Sequence, residues 1–241
     1  MATYNGSLYL REQIDSVLAQ LTPADELVVA DDGSTDDTPD ILRSYGDQLR
    51  LVSTLRVGGV VANFERVLHH SSKHYVLLCD QDDVWLPGRL SVMRRLLAQH
   101  SLVMTNALIT DDRLNPTGDT LFGLVRPRNG FWANIYRRSS FVGCCMGFRK
   151  SILDLALPFP VVSPWHDWLI GLLASLCGSV VFIDDPLLLY RRHGNNVSVT
   201  GGPSKNNFGK MAIIRIRILI AICLCLIRAP LIAARRIFTA Y

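Results

Sequence analysis

The 241 residues, 49% of them hydrophobic, suffice to bury a full core in one large α/β domain or in a domain with an appendage. The formal net charge of +4 hides an uneven distribution: nine of the 25 Lys and Arg follow Asp185, the last acidic residue, and the other 16 share residues 1–185 with all 21 Asp and Glu. An acidic body at −5 excludes general nucleic-acid binding, which needs a basic face along the phosphates, and it contrasts with a basic, apolar tail at +9.

Met1 to Gly6 reads as a loop, and Leu8 to Gln20 has helical spacing, with Leu10, Ile14, Val17 and Leu18 on one side and Ser7 as its cap. Glu26 to Ala30 is a short strand. The turn-rich DDGSTDDTPDIL then feeds a helix up to about Tyr45. Leu49 to Ser53 is a strand, Gly58 and Gly59 a turn, Ala62 to His70 a helix, and Tyr75 to Cys79 a strand with the apolar run of one buried on both faces. This alternation predicts a parallel sheet covered on both faces. Leu102 to Ile109 is a further strand, and Asp111 to Asn129, rich in Asp, Asn, Pro and Gly, a surface excursion. A helix over Phe131 to Arg137 precedes FVGCCMGF, whose small residues predict close backbone approach. Trp165 to Leu176 is a helix headed by His166 and Asp167. Val180 to Ile183 and Leu187 to Tyr190 read as two strands, the second running into RRHGNN.

The tail carries Ile218 to Ile227, apolar on every face yet too short to span a bilayer, with Arg clusters on both sides. It predicts a basic helix lying in or on a membrane face with its Arg side chains snorkelling; a helix packed on the body is the alternative. The six cysteines mostly lie inside apolar runs, which predicts buried, reduced thiols in a cytosolic compartment. The Cys223–Cys225 spacing does not suit a zinc knuckle, and MATYNG has neither the basic nor the apolar region of a signal peptide.

The most informative stretch is YVLLCDQDDVW, Tyr75 to Trp85, where the apolar strand stops at Asp80, Asp82 and Asp83. Ligands of open α/β sheets bind at the carboxyl ends of strands. Three like charges within four residues call for a cation or for hydrogen-bond donors, and Mg²⁺ carrying a diphosphate would serve. The other reading is a solvated acidic turn that caps the helix beginning near Leu86 and Pro87.

In order along the chain stand ATYNG (Ala2 to Gly6), DDGSTD (Asp31 to Asp36), DQDDVW (Asp80 to Trp85), WHDW (Trp165 to Trp168) and YRRHGNN (Tyr190 to Asn196). Together they resemble the family 2 glycosyltransferases of the GT-A fold, especially the rhamnosyltransferase-like branch of surface-polysaccharide enzymes. The resemblance implies a Rossmann-like, mostly parallel sheet with helices on both faces over residues 1–203, followed by the basic apolar helix of 204–241. It implies that Thr3, Tyr4 and Asn5 lie beside the nucleotide of a nucleoside diphosphate sugar, and that Asp31 and Asp32 face its base and ribose. Asp80 and Asp82 match the element where a divalent metal, Mg²⁺ or Mn²⁺, meets the donor's diphosphate; Asp83 is left to cap the next helix. His193 resembles a residue near the metal or diphosphate, Arg191 and Arg192 offer donors to phosphate oxygens, and Asp167 matches the general base. His166 either shifts the pKa of Asp167 or caps the helix, and Asn63 is assigned no more than a donor-side contact.

Family members carry an apolar first strand before the ATYNG-like loop, and Met1 stands where that strand would be ending. The expectation is a misplaced start or a truncated chain, and a sheet whose central strand is missing and whose neighbouring edges are exposed. The expected function is metal-dependent, inverting transfer of a sugar, with rhamnose the leading candidate, to a hydroxyl of a surface-polysaccharide or lipid-linked glycan at the cytoplasmic face of a membrane. The rival readings are a metal-dependent nucleotidyltransferase or phosphohydrolase and a truncated, non-catalytic membrane-bound partner.

Overall fold

The computed structural model describes residues 1–194 and 208–238. Asn195 and Asn196 of YRRHGNN, the expected boundary at 203/204, and residues 204–207 and 239–241 of the tail lie outside the described residues.

The first third opens with β1 (Ala2–Thr3), where the sequence reads as a loop, and then alternates as its periodicity predicts: α1 (Leu10–Leu18), β2 (Val28–Asp31), α2 (Thr38–Ser44), β3 (Arg50–Ser53), α3 (Val60–His69) and β4 (Tyr75–Leu77). β1, β2 and β3 form a parallel sheet in that order. Helix α1 buries Leu10, Ile14 and Val17, the stripe read from its 3.6-residue spacing. It starts at Leu10 with Tyr9 at the N-cap, because Ser7 instead gives its backbone N–H to Asp36 at 3.0 Å.

The remaining elements are β5 (Val84–Trp85), α4 (Arg89–Leu97), β6 (Leu102–Thr110), β7 (Pro116–Thr120), α5 (Leu121–Val125), α6 (Phe131–Tyr136), β8 (Met146–Arg149), α7 (Lys150–Ala156), α8 (His166–Cys177), β9 (Val180–Arg191) and α9 (Phe208–Phe238). A second sheet has the order β4-β8-β6-β9-β5, with β7 added on β6. It is mixed, which corrects the expectation of a mostly parallel sheet: β8 runs antiparallel to both β4 and β6, while β6 and β9 are parallel. Gly147 makes the insertion of β8 feasible, since a Cβ there would stand 2.6 Å from Met93 Cε and 3.1 Å from Leu77 Cγ. The excursion expected over Asp111 to Asn129 contains β7, paired antiparallel to β6, and α5; Asp111 closes the turn by accepting from the backbone of Arg113 and Asn115. The two strands expected after Val180 are one, bent where Pro186 cannot donate and where Asn106 Nδ2 bonds Asp184 Oδ1 at 2.8 Å.

A short first strand is present, which corrects the expectation of a sheet without it: Ala2 and Thr3 are in register with Ala30 and Asp31, and the Met1 amine donates to Val28 O at 2.7 Å. β1 does not join β4. Between the sheets lies a cavity of about 110 Å³ lined by Met1, Val28, Val67, Val76 and Leu78. Helix α9 packs Ile218, Ala221, Ile222 and Cys225 toward α7 and α8, and no described helix is long and apolar enough to cross a membrane. All six cysteines are free; Cys177 and Cys223 are exposed, contrary to the expectation of burial.

Candidate active site

The loop after β1 is built largely from its own polar groups. Thr3 is buried and donates to Asp31 Oδ1 at 2.9 Å, and Asp31, with no exposed surface, also accepts from the backbone and hydroxyl of Ser34. Asp32 accepts from the backbone N–H groups of Val57, Gly58 and Gly59. Burial opposes its charge, but those amides outweigh it and hold the carboxyl below its usual range. These three side chains shape the loops on which Asp31 and Asp32 are expected to face a base and ribose. Asn63 is likewise structural, its amide donating to Thr3 O and Ala30 O. Asn5 holds a left-handed backbone at φ 47° and accepts from Thr35 N at 2.9 Å.

Tyr4 remains half-exposed, with the Arg56 guanidinium 6.0 Å from its ring centre. Its backbone is clamped by Gln81, which accepts from Tyr4 N at 2.8 Å and donates to Tyr4 O at 3.1 Å. Sequence reasoning missed both partners. Gln81 could have been found as the side chain between two carboxylates of the acidic stretch; Arg56 carries no such signal.

Below that loop, β4 delivers the three carboxylates to one place. Asp83 does not cap a helix: α4 begins at Arg89 after Gly88 at φ 84°, and Asp83 is buried, with Oδ1 accepting from Arg191 N and Oδ2 without a partner. Asp82 Oδ2 lies 2.8 Å from His193 Nε2. Burial, then the charges of Asp82 and Asp167, push Asp80 up to about 7. Burial and the charges of Asp82 and Asp80 hold Asp83 well above its usual value. Ligand atoms of Asp80, Asp83 and Cys144 lie within 4.8 Å of one another. A hydrogen bond with Cys145 and burial keep the Cys144 thiol protonated, so the carboxylates form the hard part of the set. Crowded carboxylates, one with an orphaned oxygen on Asp83, fit a hard divalent cation; the oxygens that converge are those of Asp80 and Asp83, while Asp82, expected as a ligand, lies against His193.

Arg191 and His193 arrive from the end of β9. Arg191 does not face a phosphate: it is buried, donates to Asp82 O at 2.7 Å and Asp112 O at 2.6 Å, pairs with Glu12, and lies 4.4 Å over the Tyr9 ring. In this arrangement it acts as a strut beneath the acidic turn. Arg192 is partly exposed and its backbone N–H donates to Thr110 O.

Asp167 occupies the first turn of α8 and accepts from Trp168 N at 2.7 Å. Its charge acts on Asp80, which puts the residue expected to take a proton near one expected to bind metal. Gly143 lies beside Asp167: a Cβ there would be in ordinary contact with Leu78, Asp167 and His166 at 3.6 to 3.8 Å. His166 caps nothing. It stacks on Phe64 at 4.2 Å with both ring nitrogens unpartnered, and burial lowers its pKa against the opposing charge of Asp167.

The family model described as glycosyl transferase family 2 matches residues 1–155. The dTDP-rhamnosyl transferase RfbG of Shigella flexneri is 25% identical over 235 residues, covering 89% of this chain and 79% of its own length. Among solved structures, TarS 1-349 of S. aureus in complex with UDP-GlcNAc superposes with a TM-score of 0.66 at 22% identity, over 91% of this chain and 65% of TarS. Mannosyltransferase PcManGT from Pyrobaculum calidifontis, in complex with GDP-Man and Mn²⁺, does so with a TM-score of 0.57 at 21% identity, over 94% and 62%. These structural likenesses establish the GT-A fold. The chain spans 58% of the length of the uncharacterized mycobacterial proteins that it matches at 28% identity.

Proposed function

The chain belongs to glycosyl transferase family 2, and from that premise we propose that it transfers a hexosyl residue, with inversion, from a nucleoside diphosphate donor to a hydroxyl of a cell-surface glycan or its lipid-linked precursor. The donor is proposed to be dTDP-rhamnose, on the name borne by RfbG. What supports the reading is the nearness of Asp82 and Asp167 to Asp80, whose carboxyl is raised to about 7 by burial and by those two charges. Phosphoryl transfer and a non-catalytic role are not favoured by this family.

Each part of the cleft has a job in such a reaction. Tyr4, flanked by Arg56 and held by Gln81, offers a flat surface for the base, and Asn5 fixes the loop beside it. Asp80 and Asp83, with Asp82 and His193 beside them, would hold Mg²⁺ or Mn²⁺, which when bound supplies positive charge for the departing diphosphate. Arg192 lies next to His193 and is assigned to the phosphate oxygens. Asp167 takes the proton of the acceptor hydroxyl as its oxygen bonds to the anomeric carbon, while the bond to the diphosphate breaks on the opposite side. Calorimetric titration with dTDP and UDP, with and without Mn²⁺, tests the donor site. Mn²⁺-dependent binding that Asp82→Asn abolishes is the expected result; binding that is indifferent to Mn²⁺ and to Asp82 would overturn the assignment.

A further inference from the structure

Helix α9 is apolar on two sides, and among the described residues only one of them is covered. Ile218, Ala221, Ile222 and Cys225 face the body. Ile213, Ile216, Ile220, Leu224 and Ile227 point outward at spacings of three and four, and Ile227 is 70% exposed. This outward stripe runs roughly 20 Å along the helix at 1.5 Å per residue. An apolar helix face of that extent needs a cover, since helices that are apolar all round are normally buried.

The surroundings of the stripe specify the cover. Arg215 donates to the carbonyls of Ile135 and Tyr136, which fixes the end of α6 against α9. From α6, Trp132 and Tyr136 stack on one another at 5.7 Å and are 60% and 68% exposed, amphipathic rings of the kind that settle at headgroup depth. Exposed cations border the same region: Arg137 and Arg138 directly after α6, and Lys210 and Arg217 on α9. No acidic residue occurs anywhere after Asp185. A second protein chain would need an apolar strip with acidic margins. An anionic lipid surface meets all three features, and no described helix is long and apolar enough to cross a bilayer.

We infer that the outward face of α9, with Trp132 and Tyr136 of α6, binds in the plane of an anionic bilayer surface. The inference goes beyond the proposed reaction and bears on its acceptor. The segment between α7 and α8 is tied to α9 by Arg217, which donates to Val162 O at 3.0 Å, and by Arg228, which donates to Pro158 O at 2.9 Å. That segment exposes Val161 and Trp165 and leads directly into Asp167. Bilayer contact by α9 therefore brings the proton-accepting side of the cleft near lipid, where a lipid-linked hydroxyl would enter.

The test is co-sedimentation of the chain with phosphatidylcholine vesicles containing roughly 30% phosphatidylglycerol, against phosphatidylcholine alone, together with tryptophan emission. The expected result is binding to the anionic vesicles that weakens by about tenfold or more on neutral vesicles or in high salt, as for a surface held by several basic side chains. A blue shift of the emission should be lost in Trp132→Phe. The double variant Ile216→Glu/Ile220→Glu, placed on exposed positions, should keep the native circular dichroism and fail to sediment. Absence of binding by the unaltered chain overturns the inference. So does a dimer in solution that the double variant dissociates, because a second copy would then be the cover. Nucleotide titration of the double variant keeps this test separate from the proposed reaction: dTDP binding should be unchanged whether or not vesicles are bound.

Discussion

Asp80→Asn is expected to stabilise the fold while it removes donor binding. Burial and the charges of Asp82 and Asp167 raise the Asp80 carboxyl from 3.8 to about 7 in the folded chain. Below the unfolded value both states are protonated and the group contributes nothing. As pH rises toward 7 the unfolded chain sheds its proton while the folded chain keeps it, so stability falls by roughly 1.4 kcal/mol per pH unit. Above the folded value the loss is complete, with an upper bound of about 4 kcal/mol. The outer edge of Asp80 is open to the cleft, so solvent screening reduces the working figure to roughly 2 kcal/mol. Asn keeps the shape without the charge and escapes this cost. Urea unfolding of both proteins in chelator should give nearly equal stability at about pH 4 and an advantage for Asp80→Asn of roughly 2 kcal/mol at about pH 8. Mn²⁺ should close the gap at the higher pH by stabilising only the unaltered chain. An Asn variant that is no more stable at the higher pH, or equally favoured at both, would refute the electrostatic reasoning.

Asp167→Asn should lower turnover by about 10²- to 10⁴-fold with dTDP affinity intact, measured by sugar transfer alongside calorimetry. Arg191→Ala should cost roughly 2 to 3 kcal/mol in urea unfolding because it removes the buried donor to Asp82 O and Asp112 O, while the half-exposed Glu12 regains solvent; Arg191→Lys should not restore the loss, since an ammonium cannot reach Asp82 O, Asp112 O and Glu12 together. Gln81→Ala removes both clamps on the Tyr4 backbone, each worth about 1 kcal/mol, and should weaken dTDP binding by roughly tenfold while Mn²⁺ binding in the absence of nucleotide is retained.

Periodicity made the first hundred residues legible: the helical stripe of α1 and the apolar runs of β2 and β4 each name their own buried face. The sequence was less able to say which strands pair. β7, PTGDT, has no apolar alternation and exists because its backbone pairs with β6; its side chains are mostly exposed. The antiparallel insertion of β8 depends on the fit of Gly147 against Met93 and Leu77, a contact between distant segments. At the site, residue type identified the acidic cluster correctly but not the employment of each oxygen. Whether Asp32 meets a ligand or the protein depends on amides 25 to 27 positions away, and Arg191 is committed to Glu12, 179 positions away. Charged side chains in a motif are recognisable from sequence; their partners are set by tertiary structure.

The two sheets divide the work of the cleft. The Tyr4 loop and Asp31 to Asp36 belong to the first sheet, whereas Asp80 to Asp83, His193 and Asp167 are carried by the second and its helices. β1 is too short to join β4, and a cavity lies where the sheets would otherwise meet. Alignment of the nucleotide side with the acidic side therefore rests on side chains: a core shared by Leu10, Ile14 and Val29 with Val76, Leu78 and Trp85, and hydrogen bonds that include Gln81 to the Tyr4 backbone, Gln13 to the Cys79 thiol at 2.7 Å, Ser16 to Trp85 N and Glu12 to Arg191. Three of these hydrogen bonds originate in α1, so under the proposed reading the helix that follows the first loop would set the distance between base and diphosphate. A donor bound across the gap would contact both sheets at once, and its binding energy would include the closing of a junction that the backbone leaves open.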